Sequence, residues 1–310
     1  MLFAVNPGDN TLSFFTIDAS DPTKLTMVGK PANTMGQFPV AVTFSQKLHT
    51  TCVLNGGGDT NVACFQVCKE KGLIPLPNTV RSLGQQQSVP PAGPANTVSD
   101  ILFNQDQSQL LASVKGSPNG TAGFIANFGV IQHPFTLASQ PVKSTPNKGV
   151  LPFSMTLVGE SGDVVLNTDA GFGISVSKFD AKTGAIDSSS SVVIQNQTAT
   201  CWSSTSPRTG SFYTTDVGNA LVQEFSVDPS VPEAKLIGTH PLEGIGGRID
   251  QNVGSTKVGD FLYILAAKAG AVDVVKLEGP GKAEQIQSFN VTAVVPDHPI
   301  SVQGMAVYVK

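Results

Sequence analysis

The chain has 310 residues and a formal net charge of −4, with 40% hydrophobic against 14% charged residues. That balance supplies a sizeable apolar core and excludes a disordered chain. The absence of any Lys or Arg run also excludes a nucleic-acid footprint, which needs clustered cations. No stretch reaches the roughly 18–20 apolar residues of a membrane-spanning helix, so the reading is a soluble protein without a membrane partner.

Gly and Pro number 31 and 21, which with abundant Ser, Thr and Val predicts many short strands joined by turns. The chain opens with "MLFAVNPGDNTLSFFTID", a strand, a Gly-Asp-Asn turn and a second strand. Similar phrases follow as "HTTCVLNGGGDTNVACFQV", "DVVLNTDAGFGISVSKFD", "SFYTTDVGNALVQEFSVD" and "FLYILAAKAGAVDVVKLE". A repeat of about 45–55 residues built of strands alone signals a propeller or solenoid. One unit reads as four strands, A to D: "TATCWSSTS", "SFYTTD", "LVQEFSVD" and "AKLIGTHP". Four-stranded units of this length are β-propeller blades. The expected inner A strands are residues 38–45, 99–105, 152–159, 199–206, 247–254 and 300–309. Residues 1–29 supply B, C and D strands without an A strand, and 300–309 supply an A strand without successors. Pairing these two ends would close the ring of one domain, residues 1–310, with six blade units and no bare inner edge.

"GLIPLPNTVRSLG" and "QTATCWSSTSPRTGSFYTTDVGNALVQEFSVD" carry a resemblance that runs over nearly the whole chain. They resemble the lactonase-family seven-bladed propellers, which include 6-phosphogluconolactonases and the fungal carboxymuconate lactonising enzymes, or carboxymuconate cyclases. The resemblance implies a further blade before the "LFAVN" segment, so an N-terminal portion is expected to be missing from this chain. It also implies lactone opening or closing, as hydrolase or cycloisomerase (isomerase) chemistry, with basic and acidic side chains in the central channel. The family's catalytic residues do not map position by position here. A non-catalytic propeller that binds a ligand or protein therefore stays open beside the enzyme.

Propeller sites lie at the channel mouth, on the D–A and B–C loops. There the chain offers Lys115, Arg248 and Lys268, cations suited to a carboxylated substrate or a carbohydrate, with Arg248 able to grip a carboxylate by two donors. Gln37 and the only tryptophan, Trp202, join them as substrate-binding candidates, although an inner-strand Trp is by default core. Asp169, Asp216 and His298 are the candidates for proton transfer. The competing reading of "NTDAG" and "TTDVG" makes both aspartates turn residues that bond their own backbone. His49 and His240 read as surface or strand-end residues, His133 as peripheral, and Glu160 and Glu224 as solvated or paired at blade edges.

No nucleophile elbow, P-loop, HExxH or acidic calcium loop occurs, so neither a metal nor another cofactor is expected. A hairpin about residues 56–60 would set Cys52 opposite Cys64, either as a disulfide or as two small buried hydrophobes. Cys68 and Cys201 are left unpaired. Sequons at Asn119, Asn196 and Asn290 point to a secreted glycoprotein. A monomer is expected.

Overall fold

A computed structural model describes residues 1–117, 119–292, 294 and 302–310. It is an all-β propeller with six blades among the described residues, rather than the seven implied by the family resemblance. The first blade holds β1 (Leu2–Asn6), β2 (Thr11–Ile17), β3 (Leu25–Met27) and β4 (Ala32–Asn33). The second holds β5 (Gln37–Ser45), β6 (Thr50–Cys68) and β7 (Gly72–Gln87). The third holds β8 (Val98–Phe103), β9 (Gln109–Val114), β10 (Phe124–Gln132), β11 (Phe135–Leu137) and β12 (Val142–Ser144). In the fourth are β13 (Pro152–Val158), β14 (Val164–Asp169), β15 (Gly173–Phe179) and β16 (Ile186–Val193). The fifth has β17 (Thr200–Thr205), β18 (Phe212–Asp216), β19 (Leu221–Asp228) and β20 (Glu233–Pro241). The sixth has β21 (Arg248–Thr256), β22 (Gly259–Ala266), a 3₁₀ turn (Ala267–Ala269), β23 (Ala271–Gly279) and β24 (Lys282–Asn290).

Within a blade, burial follows strand order. The second strands β9, β14 and β18 are buried along their whole length, so the polar side chains in "QLLASV" and "VVLNTD" need partners, as Asn167 finds in the Ser175 hydroxyl and Asp169 in the Gly171 N–H. The outer strands β16, β20 and β24 are largely exposed and read "IDSSSSVV", "EAKLIGTHP" and "KAEQIQSFN". The inner strands carry a feature invisible in the alternation. In β5, β8, β17 and β21 the register slips near the strand start, between Pro39 and Ala41, Val98 and Ile101, Thr200 and Ser203, and Arg248 and Asp250. A bulge at the same place in four blades re-aims the next side chain, among them Asp100, Trp202 and Asp250.

Contacts divide the chain into two compact units. One is Met1–Phe153 with Gly159–Asp163 and Phe179–Asp187; the other is Ser154–Val158, Val164–Lys178 and Ser188–Lys310. In the first unit, β6 is too long to be one straight strand. Its first half pairs with β5 and its second half with β7. Cys52 and Cys64, 12 residues apart in sequence, have Cα atoms only 4.0 Å apart, where an extended strand would separate them by about 40 Å. The segment therefore reverses, at Gly58 in the left-handed region (φ 60°), and the two sulfurs form a disulfide. The bridge lies in a core with Leu54, Val62, Leu83 and Ile101.

The second unit is packed around Val164, Leu166, Ile174 and Phe225 in one cluster and Tyr213, Leu262, Ile264 and Val275 in another. The expected inner strand 300–309 falls partly outside the described residues. Its described part, residues 302–310, forms no strand but runs beside β21 through side-chain contacts: the Met305 N–H donates to Asp250 Oδ2 (2.6 Å) and the Met305 carbonyl accepts from Asn252 Nδ2 (3.2 Å).

Candidate functional site

Arg248 opens β21 directly after the loop 242–247, the D–A connection of the last blade. The sequence suggests a guanidinium open to a substrate carboxylate; the structure fills it from within. Arg248 is 1% exposed. Its Nε and Nη2 both donate to Asp273 Oδ2, at 2.9 and 2.8 Å. The remaining contacts run from Nη2 to the Glu243 carbonyl and from Nη1 to the Ile245 carbonyl, each 2.7 Å. Gln285 completes the circuit. Its Nε2 donates to Asp273 Oδ1 (3.2 Å) and its Oε1 accepts from the Glu243 N–H (2.7 Å). The correction has a simple cause: Asp273 on β23 supplies the carboxylate, since a buried guanidinium must be paired and hydrogen-bonded.

This circuit forms the floor of a cleft of about 230 Å³, whose wall is the loop 243–245 and whose other side includes Ala269, Gln285 and Ser288. Lys268, on the adjacent 3₁₀ turn, is exposed as expected. The turn packs so closely on the loop that a Cβ at Gly247 would fall 2.3 Å from the Lys268 Cβ.

Asp216 and Asp169 are turn-makers. Asp216, at the end of β18, accepts from the Thr198 hydroxyl and from the N–H groups of Thr198 (2.8 Å), Ala199 (3.3 Å), Gly218 (2.9 Å) and Asn219 (3.0 Å). Burial pushes its carboxyl up, but these bonds, led by Thr198, outweigh it and hold the group below the ordinary carboxylate range. Such a carboxylate stays ionised at neutral pH, which opposes a general-acid role, and its five hydrogen bonds occupy the oxygens that a general base would need. Asp169 is fully buried at the end of β14 and accepts from the Gly171 N–H at 2.8 Å.

Lys115 belongs to the first unit and is buried rather than displayed. Its Nζ donates to Thr97 Oγ1 (3.2 Å) and the Val98 carbonyl (3.3 Å) and sits 4.5 Å from the Phe153 ring centroid. Trp202 is half-buried on β17, and Gln37 is exposed at the start of β5. His298 lies outside the described residues. Asn119, Asn196 and Asn290 are all exposed, and Asn290 Oδ1 accepts from the N–H and hydroxyl of Thr292 at 2.8 and 2.6 Å.

One constellation escaped the sequence reading. Glu224 is fully buried, not solvated at an edge. It accepts from the Tyr213 hydroxyl (3.2 Å) and the Gly281 N–H (3.0 Å), and its other oxygen lies 2.8 Å from His240 Nε2. His240 stands at a strand end, next to the last residue of β20, and is buried with Glu224 rather than on the surface. Burial pushes the Tyr213 phenol up to about 12. A usable signal existed: Glu224 faces Tyr213 on one neighbouring strand and Gly238 on the other. A Cβ at Gly238 would fall 2.7 Å from His240 Nε2, so the glycine leaves the imidazole its space. Among the described residues no group of three His, Cys, Asp or Glu side chains could hold a metal ion.

The chain matches no protein-family model and no curated protein. Its likenesses are to solved propeller structures. A candidate 6-phosphogluconolactonase from Bacteroides uniformis is similar with a TM-score of 0.69 at 16% identity, over 93% of this chain and 81% of that one. A second, from Bacteroides fragilis, gives 0.68 at 16% identity, over 90% and 78%. The periplasmic gluconolactonase of Pseudomonas aeruginosa gives 0.53 at 13% identity, over 93% and 95%. Likeness at this identity is one of fold, and it defines the class as a β-propeller.

Proposed function

We propose that this protein is a lactonase-like enzyme that opens or closes a small lactone ring, either as a lactone hydrolase or as a carboxymuconate-type cycloisomerase. The observation that carries the reading is the correspondence of at least 90% of the chain with two candidate 6-phosphogluconolactonases. Hydrolysis adds water to the ring carbonyl and breaks the ring C–O bond, leaving a hydroxyl and a carboxylate. The chain must then position the lactone and take the proton released by water. At the cleft of the last blade, Glu243 is an exposed ionisable side chain in the lining, next to a pre-formed floor. The buried disulfide and the three exposed sequon asparagines support a secreted protein carrying N-glycans.

The test is pH-stat turnover of a panel of sugar lactones, a phosphorylated sugar lactone, muconolactones and muconates. Turnover of at least one class is expected. Absence of turnover and of binding across the panel would sink the enzyme reading. A second reading, a non-catalytic binding propeller, is favoured by the internal commitment of Arg248 and Asp216, and it predicts binding without turnover.

A further inference from the structure

The cleft of the last blade has a wall that its own composition would leave loose. Residues 243–247 read Glu-Gly-Ile-Gly-Gly, with Gly244 and Gly247 in the left-handed region (φ 85° and 99°). Glycines of this kind confer freedom unless the backbone is tied. Here it is tied twice. The Gly247 N–H donates to the Val217 carbonyl (2.6 Å), and Arg248, Asp273 and Gln285 hold the Glu243 and Ile245 backbone from beneath. A buried ion pair is costly to desolvate, so its use under a glycine-rich loop keeps that loop in one conformation.

The cleft has no spare cation. Arg248 and Asp273 neutralise one another in the floor, and the remaining charge of the lining is the exposed Glu243 carboxylate. A phosphate ester calls for cations in excess, ready to form charge-assisted bonds. None is in excess here. The groups left to a ligand suit hydroxyls: the second amide hydrogen of Gln285, the Ser288 hydroxyl and the Glu243 carboxylate. Ile245 and Ala269 offer an apolar face to ring C–H groups. At about 230 Å³ the cleft is smaller than the about 300–1,000 Å³ of drug-sized sites.

We propose that this cleft binds a single uncharged polyhydroxylated ring, a neutral sugar lactone, and that Arg248 is a positioning residue for the loop 243–247. The choice of a lactone rests on the lactonase reading; the cleft and its lack of a spare cation do not. The experiment is calorimetric titration of the full chain with a neutral sugar lactam, which cannot be hydrolysed, and with 6-phosphogluconate. Wild type should bind the lactam more tightly than the phosphate. Ala269→Phe, which fills the cleft from an exposed position, should weaken lactam binding at least tenfold with an unchanged melting temperature. Gln285→Ala, a milder cut than any at Arg248, should speed amide hydrogen exchange in residues 243–247 and weaken binding in step. Equal lactam binding by wild type and Ala269→Phe overturns the proposal, as does no lactam binding by wild type or tighter binding of the phosphate. Lactone turnover that Ala269→Phe leaves untouched overturns the cleft and keeps the lactonase reading. Lactam binding lost in that variant, in a protein without lactone turnover, keeps the cleft and removes the enzyme.

Discussion

Arg81 and Arg248 show how differently the two units use the same side chain. In the first unit, Arg81 donates to the carbonyls of Val80, Leu137 and Ala138 and to the Thr136 hydroxyl, with no carboxylate among these partners. In the second, Arg248 is fully buried against Asp273. The same contrast extends outward. The first unit reinforces its apolar core covalently, through Cys52–Cys64. Within the second, three buried carboxylates have basic side chains as partners: Asp273 pairs with Arg248, Asp260 with Arg208, and Glu224 contacts the His240 imidazole. Apolar and covalent ties are indifferent to pH, whereas buried carboxylates must remain charged or find a proton. Single charge changes at these three sites should therefore be costly in the second unit, whereas the first, where Lys115 and Asp100 are also buried, has its disulfide besides.

The sharpest way to break that contrast is Asp273→Ala, which leaves the Arg248 charge buried and unpaired. Its expected cost is about 3–5 kcal/mol, measured by urea denaturation with the single Trp202 as a reporter inside the second unit. The double change Arg248→Met with Asp273→Leu should recover most of that loss, because a well-packed apolar pair can replace a buried ion pair. If Asp273→Ala costs under 1 kcal/mol by the order-of-magnitude scale for exposed pairs, the pair is not the constraint argued above. Next in size is the disulfide. Replacing Cys52 and Cys64 with Ala should cost about 2–4 kcal/mol, read from denaturation with and without reductant. Thiol titration of the unfolded, unreduced chain should count two groups, Cys68 and Cys201.

Tyr213→Phe is a finer cut. It removes one donor to the Glu224 carboxylate while keeping the ring in its cluster, for about 1.5 kcal/mol. The native spectrum should also lack the Tyr213 phenolate at pH 10–11, since that group ionises only near 12. The neutral phenol's contribution is complete below about pH 10, the unfolded value, and is lost as pH rises through the folded one.

The mildest probe changes no residue and has no effect at neutral pH. Asp216 and Asp260 both lie in the second unit, and both are held below the ordinary carboxylate range. In each, burial pushes upward and is outweighed by hydrogen bonds, from Thr198 for Asp216 and from Ser206 and Ser255 for Asp260. Depressed folded values mean that the stabilisation is complete above the unfolded value of about 3.9 and is lost as pH falls through the folded one. Trp202 fluorescence should therefore report loosening below about pH 4, and Asp216→Asn should flatten that acid limb. A limb unchanged in the variant would remove Asp216 from the account.

Much of the architecture was legible because strands and turns are local. Alternation, Gly and Asn turns and the polar outer strands placed the inner strands of five blades within two residues of their observed starts. The placing of Cys52 opposite Cys64 followed from hairpin spacing alone. Asp169 and Asp216 were legible as turn residues too, since an aspartate before a Gly-containing turn bonds backbone only two or three positions away. What tertiary structure decided was which charge meets which. Arg248 and Asp273 are 25 residues apart, and their pairing depends on how β21 and β23 flank β22. Glu224 reaches His240 on the neighbouring strand β20 because Gly238, its own partner in register there, lacks a side chain. Lys115 turned inward, onto the Phe153 ring and the Val98 carbonyl. A periodic pattern states which face a residue takes. Whether a charge on that face stays available to a ligand depends on partners brought in from distant strands, and burial demands that those partners be found inside.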